Sequence, residues 1–211
     1  MRVTEIFHSI QGESTFAGQP CAFVRLTGCP LRCSWCDSEY TFYGGTEMAL
    51  DEVLAKVRLF DCRLVEVTGG EPLHQAEAFP LIARLCDEGY AVLVETSGAI
   101  DISPVDARAR IIMDVKCPGS GMMDRMDWQN LDRIAGKDEI KFVLKDRVDY
   151  DFSKTIVGRY QLTDRCPVLF SPSFGELDPR QLSEWVLADK LPVRVQLQLH
   201  KLIWDPQTRG V

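Results

Sequence analysis

Short runs rich in Val, Ile, Leu and Phe recur along the chain and often stop at Gly, Ser, Thr or Pro. They predict strands over 21–28, 63–70, 90–98, 110–116, 139–145, 167–173 and 193–200. Between several of them, apolar residues return at helical spacing, which predicts helices over 50–60, 76–88, 148–157 and 178–188. Pro179 suits a first helical turn, with Asp178 as its N-cap. Strand–helix–strand alternation implies parallel strands with right-handed crossovers. A complete eightfold barrel takes roughly 250 residues, more than the 211 present here. Some crossovers, notably 99–109, are also too short for a helix. The expectation is one α/β domain over 1–211, an incomplete TIM-type barrel of about six core parallel strands with reduced helical cover. The first twenty residues are expected to add a hairpin or edge strand.

The polar and glycine-rich clusters fall at the carboxyl ends of these strands: TGGEP (68–72), ETSG (95–98), DVKCPGSG (114–121) and SPS (171–173). Ligands bind at that edge of parallel α/β sheets, so the clusters are expected to converge on one site. Arg25 interrupts the apolar AFVRLTG and shares a strand face with Phe23. That alternation favours a pocket role over a surface ion pair.

Charge narrows the picture. Lys and Arg number 24 against 31 Asp and Glu, a net charge of −7 with no long basic run. A broad nucleic-acid footprint is thereby disfavoured. No apolar stretch approaches the roughly 18 residues of a membrane span, and Glu5, His8 and Gln11 interrupt any secretory h-region at the start. A cytoplasmic chain is expected, in which the eight cysteines stay reduced. Cys21, Cys62, Cys86, Cys117 and Cys166 are scattered and read as small buried hydrophobes. His8 and His74 read as structural.

Cys29, Cys33 and Cys36 are different, because they crowd into GCPLRCSWCDS. Structural zinc wants four ligands, and no second cysteine pair is present. An iron–sulfur cubane held by three thiolates keeps one iron open to a small molecule. The C-x3-C-x2-C spacing resembles that of the radical S-adenosylmethionine (SAM) enzymes. The resemblance implies a 4Fe-4S cluster on the three cysteines and SAM on its open iron, with Trp35, Cys36 and Asp37 beside the cofactor. TGGEP resembles the family's GGE segment, so Gly69, Gly70 and Glu71 are implied at the methionine amino group. Read alone, the same segment is an ordinary strand-to-helix turn.

A narrower resemblance covers nearly the whole chain. FHSIQGESTFAGQPCAFVRLTGCPLRCSWCDSEYTF, DVKCPGSGM, EIKFVLKD, SPS and VQLQLHKLIW resemble the 7-carboxy-7-deazaguanine synthase family. That family converts 6-carboxy-5,6,7,8-tetrahydropterin to 7-carboxy-7-deazaguanine and ammonia, a step toward queuosine and related 7-deazapurines. The resemblance implies substrate contacts from Ile10, Gln11, Gly12, Glu13, Arg25, Thr68, His200 and Val211. It places Ser97, Lys116, Pro118, Ser120, Ser171, Pro172, Ser173 and Phe174 around SAM. It also implies Mg2+ on Ser38, where the family usually has Thr; a loop-capping hydroxyl is the plain alternative. Without the resemblance, His200 is a structural histidine ending a strand. A homodimer and a reducing partner such as flavodoxin are further implications, with the N-terminal segment 1–20 and the tail 201–211 closing the substrate pocket. A radical activase acting on a glycine of a partner protein shares the cluster motif and comparable length. SIQGE and Arg25 argue against it, because they imply a small polar pocket.

Overall fold

The computed structural model describes all 211 residues. A single nine-stranded sheet runs in the order β3-β1-β2-β4-β5-β6-β7-β8-β9. Its strands are β1 (Arg2–Ile10), β2 (Pro20–Leu26), β3 (Thr46–Glu47), β4 (Leu64–Gly69), β5 (Ala91–Thr96), β6 (Arg110–Asp114), β7 (Glu139–Leu144), β8 (Val168–Pro172) and β9 (Arg194–Val195). Every neighbouring pair from β2 to β9 is parallel. The first twenty residues form the antiparallel arm β1, hairpin-paired with β2. Four longer helices supply the crossovers: α1 (Leu50–Arg58), α2 (Ala78–Asp87), α4 (Arg147–Arg159) and α5 (Pro179–Asp189), with α3 (Asn130–Arg133) a single turn. No helix is long and apolar enough to cross a membrane.

Alternation along the strands separates two faces of the sheet. Val24, Val65, Val67, Val92, Val94, Met113, Phe142 and Phe170 pack with the helices in one large apolar cluster. Burial of each such side chain contributes roughly 1.5–3 kcal/mol. The opposite face carries only a small plug of Cys21, Phe23, Leu64, Leu93 and Ile112. Beyond that plug, toward the strands' carboxyl ends, the same face turns polar. This is the expected rim.

Helix boundaries follow local chemistry. Asp146 accepts from Val148 N and Asp149 N and so starts α4 at Arg147, and Asp178 accepts from Arg180 N with Pro179 in the first turn of α5. Gln75 bonds the backbone of Arg2 and Thr27, which leaves α2 to start at Ala78 instead of residue 76.

The last predicted strand needs correction. β9 spans only Arg194–Val195, and His200 opens a one-turn helix, α6 (His200–Ile203). An edge strand has a partner on one side only. Beyond Val195 the chain turns to the β1–β2 hairpin loop, where Gln196 bonds Ser14 through both its amide atoms and Leu199 N donates to Gly12 O at 2.8 Å. These contacts join the first hairpin to the last strand. Two cysteines also depart from expectation: Cys21, Cys117 and Cys166 are buried, whereas Cys62 and Cys86 are only half-buried.

Candidate active site

A cavity of about 720 Å³ opens at the carboxyl ends of the strands. One wall is the loop between β2 and β3, where Cys29, Cys33, Cys36, Trp35, Asp37 and Ser38 all line the space. The three thiols form no disulfide. Burial raises the pKa of Cys29 and Cys33, partly offset at Cys33 by the charge of Lys116. The loop is braced from behind: Ser34 N donates to Ser120 O at 3.1 Å and Ser34 Oγ donates to Gly119 O at 2.8 Å. Gly70 permits the next strand's turn to reach this wall, because a Cβ there would stand 2.6 Å from the Cys29 Cβ.

The floor is built from charged residues on inward strand positions. Arg25 and Thr68 are register partners on β2 and β4. Arg25 Nε donates to Glu5 Oε1 at 2.8 Å, and Tyr40 donates to the same oxygen at 2.8 Å. Glu5 thus holds the guanidinium by Nε, so its two Nη groups are left for a cavity ligand. Lys141, on β7, donates to Glu13 at 2.6 Å and also to Glu95. Burial opposes ionisation of Glu13, yet the charges of Lys141 and His200, with hydrogen bonds from Lys141 and Gln198, lower its pKa to about 2. Burial, with the charges of Glu95 and Glu13, pushes Glu66 well up, and Gln11 donates to its carboxyl. Glu13 is therefore a charged acceptor, whereas the same surroundings disfavour the charged form of Glu66.

The chain's last segment supplies the remaining wall. Pro206 to Val211 line the cavity together with Gln198, His200 and Lys201. Lys201 Nζ donates to Asp37 Oδ2 at 2.5 Å, and the Arg209 guanidinium lies 4.2 Å from the centre of the Tyr40 ring.

The model of the radical SAM superfamily matches residues 23–120. A protein of Koribacter versatilis named 7-carboxy-7-deazaguanine synthase is 48% identical, with each chain covered in full. A protein of the same name from Chlorobaculum tepidum is 46% identical over all of this chain and 97% of its own. The chain belongs to the 7-carboxy-7-deazaguanine synthase family. It is a radical SAM lyase. Its fold is similar to the crystal structure of QueE from Escherichia coli, with a TM-score of 0.77 over 94% of each chain at 24% identity. The structure of TYW1 with a lysine-pyruvate adduct shares the fold more loosely, with a TM-score of 0.58 at 12% identity over 82% of this chain and 74% of that one.

Three thiols on one cavity wall suit the 4Fe-4S cluster of this family, since thiolates are its usual ligands. No three His, Cys, Asp or Glu side chains are gathered closely enough to hold one metal ion. Beside them the cavity also holds an unpartnered polar atom. Asp114 lines the cavity with its Oδ1 buried and without a partner, while its Oδ2 holds Lys116 at 2.8 Å. Gly69, Gly70, Ser97, Lys116, Ser173 and Phe174 border the same space, as do Ile10, Gln11, Gly12, Glu13, Arg25, Thr68, His200 and Val211.

Five expected contacts lie off the cavity. Glu71 is fully buried and accepts from Leu73 N, Thr96 Oγ1 and both Ser97 N and Oγ, so its carboxylate braces Ser97 from behind. Ser120 Oγ donates to Cys117 O at 2.6 Å and accepts from Met122 N, closing the turn that begins at Pro118; this turn supports Trp35 and Ser34 and does not border the cavity. Ser171 is buried within β8, one pleat below Ser173, and Pro172 points to the other side, where it lines a separate small pocket. Ser38 Oγ caps nothing and stands 3.8 Å from Cys36 Sγ. Its plain capping role is absent.

Glu66, Glu95, Asp114, Lys141 and Gln198 line the cavity without having been singled out from the sequence. The signal was there for four of them. Each is a charged residue inside or ending an apolar strand (LVEVT, VLVET, IIMD and IKFV), the same irregularity that marks Arg25 in AFVRL.

Proposed function

We propose that this cavity carries the ring contraction of 6-carboxy-5,6,7,8-tetrahydropterin to 7-carboxy-7-deazaguanine, with release of ammonia, in 7-deazapurine biosynthesis. The observation that carries it is one continuous cavity with the three cluster thiols on a wall and Arg25 with free Nη groups on the floor. When bound, the cluster and SAM supply the one-electron chemistry that removes a hydrogen from the substrate. The chain's own groups then bind, orient and exclude water. Arg25 offers a fixed fork to the pterin carboxylate. Charged Glu13 accepts from the N–H groups of the pyrimidine edge, helped by Gln11 and the backbone of Ile10 and Gly12. Thr68 adds a hydroxyl beside Arg25, and His200, whose pKa burial lowers, offers a ring nitrogen. Lys116 meets the SAM carboxylate, while Gly69, Gly70, Ser97, Ser173, Phe174 and Trp35 border the rest of that cofactor.

Magnesium belongs to this reading through Ser38, whose hydroxyl would offer the hard oxygen donor that such a cation takes. Asp37 is an unsuitable direct ligand while Lys201 occupies it. The sheet reads as an incomplete barrel of six long parallel strands in one domain, with segment 1–20 and tail 201–211 closing the pocket. A homodimer, a flavodoxin-like reductant and a cytoplasmic setting complete the proposal. The activase alternative is not favoured, because the tail lines the cavity where a partner's loop would have to enter.

The test is anaerobic turnover. Reconstituted protein with SAM, Mg2+ and a reductant should convert the tetrahydropterin and release ammonia. SAM cleavage with no pterin consumption would overturn the substrate, and loss of nothing on Mg2+ removal would overturn the role of Ser38.

A further inference from the structure

Lys141 is the one buried ammonium on the cavity floor to which two carboxylates are bonded: Glu13 from the β1–β2 hairpin loop, at 2.6 Å, and Glu95 from β5. Its side chain is 5% exposed, in a stretch of β7 otherwise occupied by Ile140, Phe142 and Leu144. A charge in such a place persists only when paired, because desolvation penalises an unpaired ion heavily. The pairing is also directional. Glu13 Oε2 takes Lys141, and Glu13 Oε1 takes Gln198 at 2.8 Å, so the hairpin loop is pinned in one rotamer from two sides. Glu95 gives one oxygen to Lys141, and its Oε2 has no protein partner. Both acids border the cavity, as does Glu66, which feels the charges of both.

We propose that Lys141 is a positioning residue of the pterin pocket: it clamps Glu13 and Glu95 together at one spacing, as acceptors for the N–H groups of the substrate ring. Without the ammonium, two carboxylates repel across the floor and the hairpin loop loses its anchor. The inference rests on the pterin reading given above and adds to it a group that recognises substrate without touching it.

The experiment uses the reconstituted protein and 6-carboxypterin, an oxidised analogue with no hydrogen on C6 to abstract, titrated calorimetrically without reductant. Removal of the charge in Lys141→Met leaves two unpaired acids, so its melting temperature should fall. Glu95→Gln combined with Lys141→Met should recover much of that loss while still binding the analogue about tenfold or more weakly than Glu95→Gln alone. Lys141→Arg keeps the charge but moves the clamp, and should raise the pterin KM about three- to tenfold with the SAM KM and iron content unchanged. A merely structural lysine would give a double variant that binds like Glu95→Gln, and an arginine variant with wild-type KM; either result overturns the assignment. Wild-type protein that neither binds the analogue nor turns over the tetrahydropterin would instead defeat the pterin reading itself.

Discussion

The cavity's two sides are made in opposite ways. The thiol wall comes from one stretch of chain, Cys29 to Ser38, and its shape is set by turns within that stretch and by the glycines packed behind it. The floor is assembled from residues far apart in sequence: the Lys141–Glu13 bond spans 128 positions, Gln198–Glu13 spans 185 and Gln11–Glu66 spans 55. A wall of local origin holds soft ligands whose partner is the cofactor. A floor of distant origin holds hard charges that are already partners of one another. The first therefore depends on spacing, and the second depends on the completed fold.

The difference predicts that each side can be damaged alone. The largest expected effect is on the wall: Cys33→Ala should lower SAM cleavage by about a thousandfold or more and cut the iron retained after reconstitution. Its calorimetric affinity for 6-carboxypterin should stay within about twofold of wild type. A parallel loss of pterin binding would show that the two sides are one unit. Next comes Arg25→Ala, expected to weaken the analogue by about 10- to 100-fold, since hydrogen bonds to charged groups contribute roughly 1.5–3 kcal/mol, with iron content unchanged. Wild-type affinity in that variant would remove the carboxylate clamp.

Acid sharpens the contrast on the floor. Glu13 is held at about 2 against an ordinary 4.5, so its ionised form is favoured in the folded protein. The sign follows: its contribution to stability is complete above about 4.5 and is lost as pH falls toward about 2. Denaturant titrations from pH 6 to pH 3 should show Glu13→Gln losing less stability on acidification than wild type. Identical slopes would refute the charged state assigned to Glu13. The smallest effect is expected at Ser38→Thr, which keeps the hydroxyl and adds a stiffening methyl; half-saturation by Mg2+ should move about two- to threefold. A larger shift would mean that the wall's last residue governs the metal more than the substrate does.

The same contrast explains what could be read before folding. Arg25 was legible because a single charge in an apolar strand must face something, and the identical signal at Glu66, Glu95 and Lys141 named a face without naming partners. The strand predicted over 193–200 was misjudged because period-2 alternation says nothing about whether a neighbour exists. With only β8 beside it, the segment pairs at Arg194 and Val195 and then follows the hairpin loop. Serines expected around the cofactor split for a similar reason. Ser97 and Ser173 reach the cavity, whereas Ser120 closes a turn and Ser171 lies one pleat too deep.

By itself the sequence determined the order of most strands and helices, the three clustered thiols without the second cysteine pair that structural zinc wants, and the rim on which the polar clusters meet. These are short-range properties, set by side-chain period, turn residues and ligand spacing. Tertiary structure decided which charges neutralise one another. Only the folded sheet brings the ammonium of Lys141 between carboxylates contributed by the hairpin loop and β5, and only burial there makes the pairing compulsory.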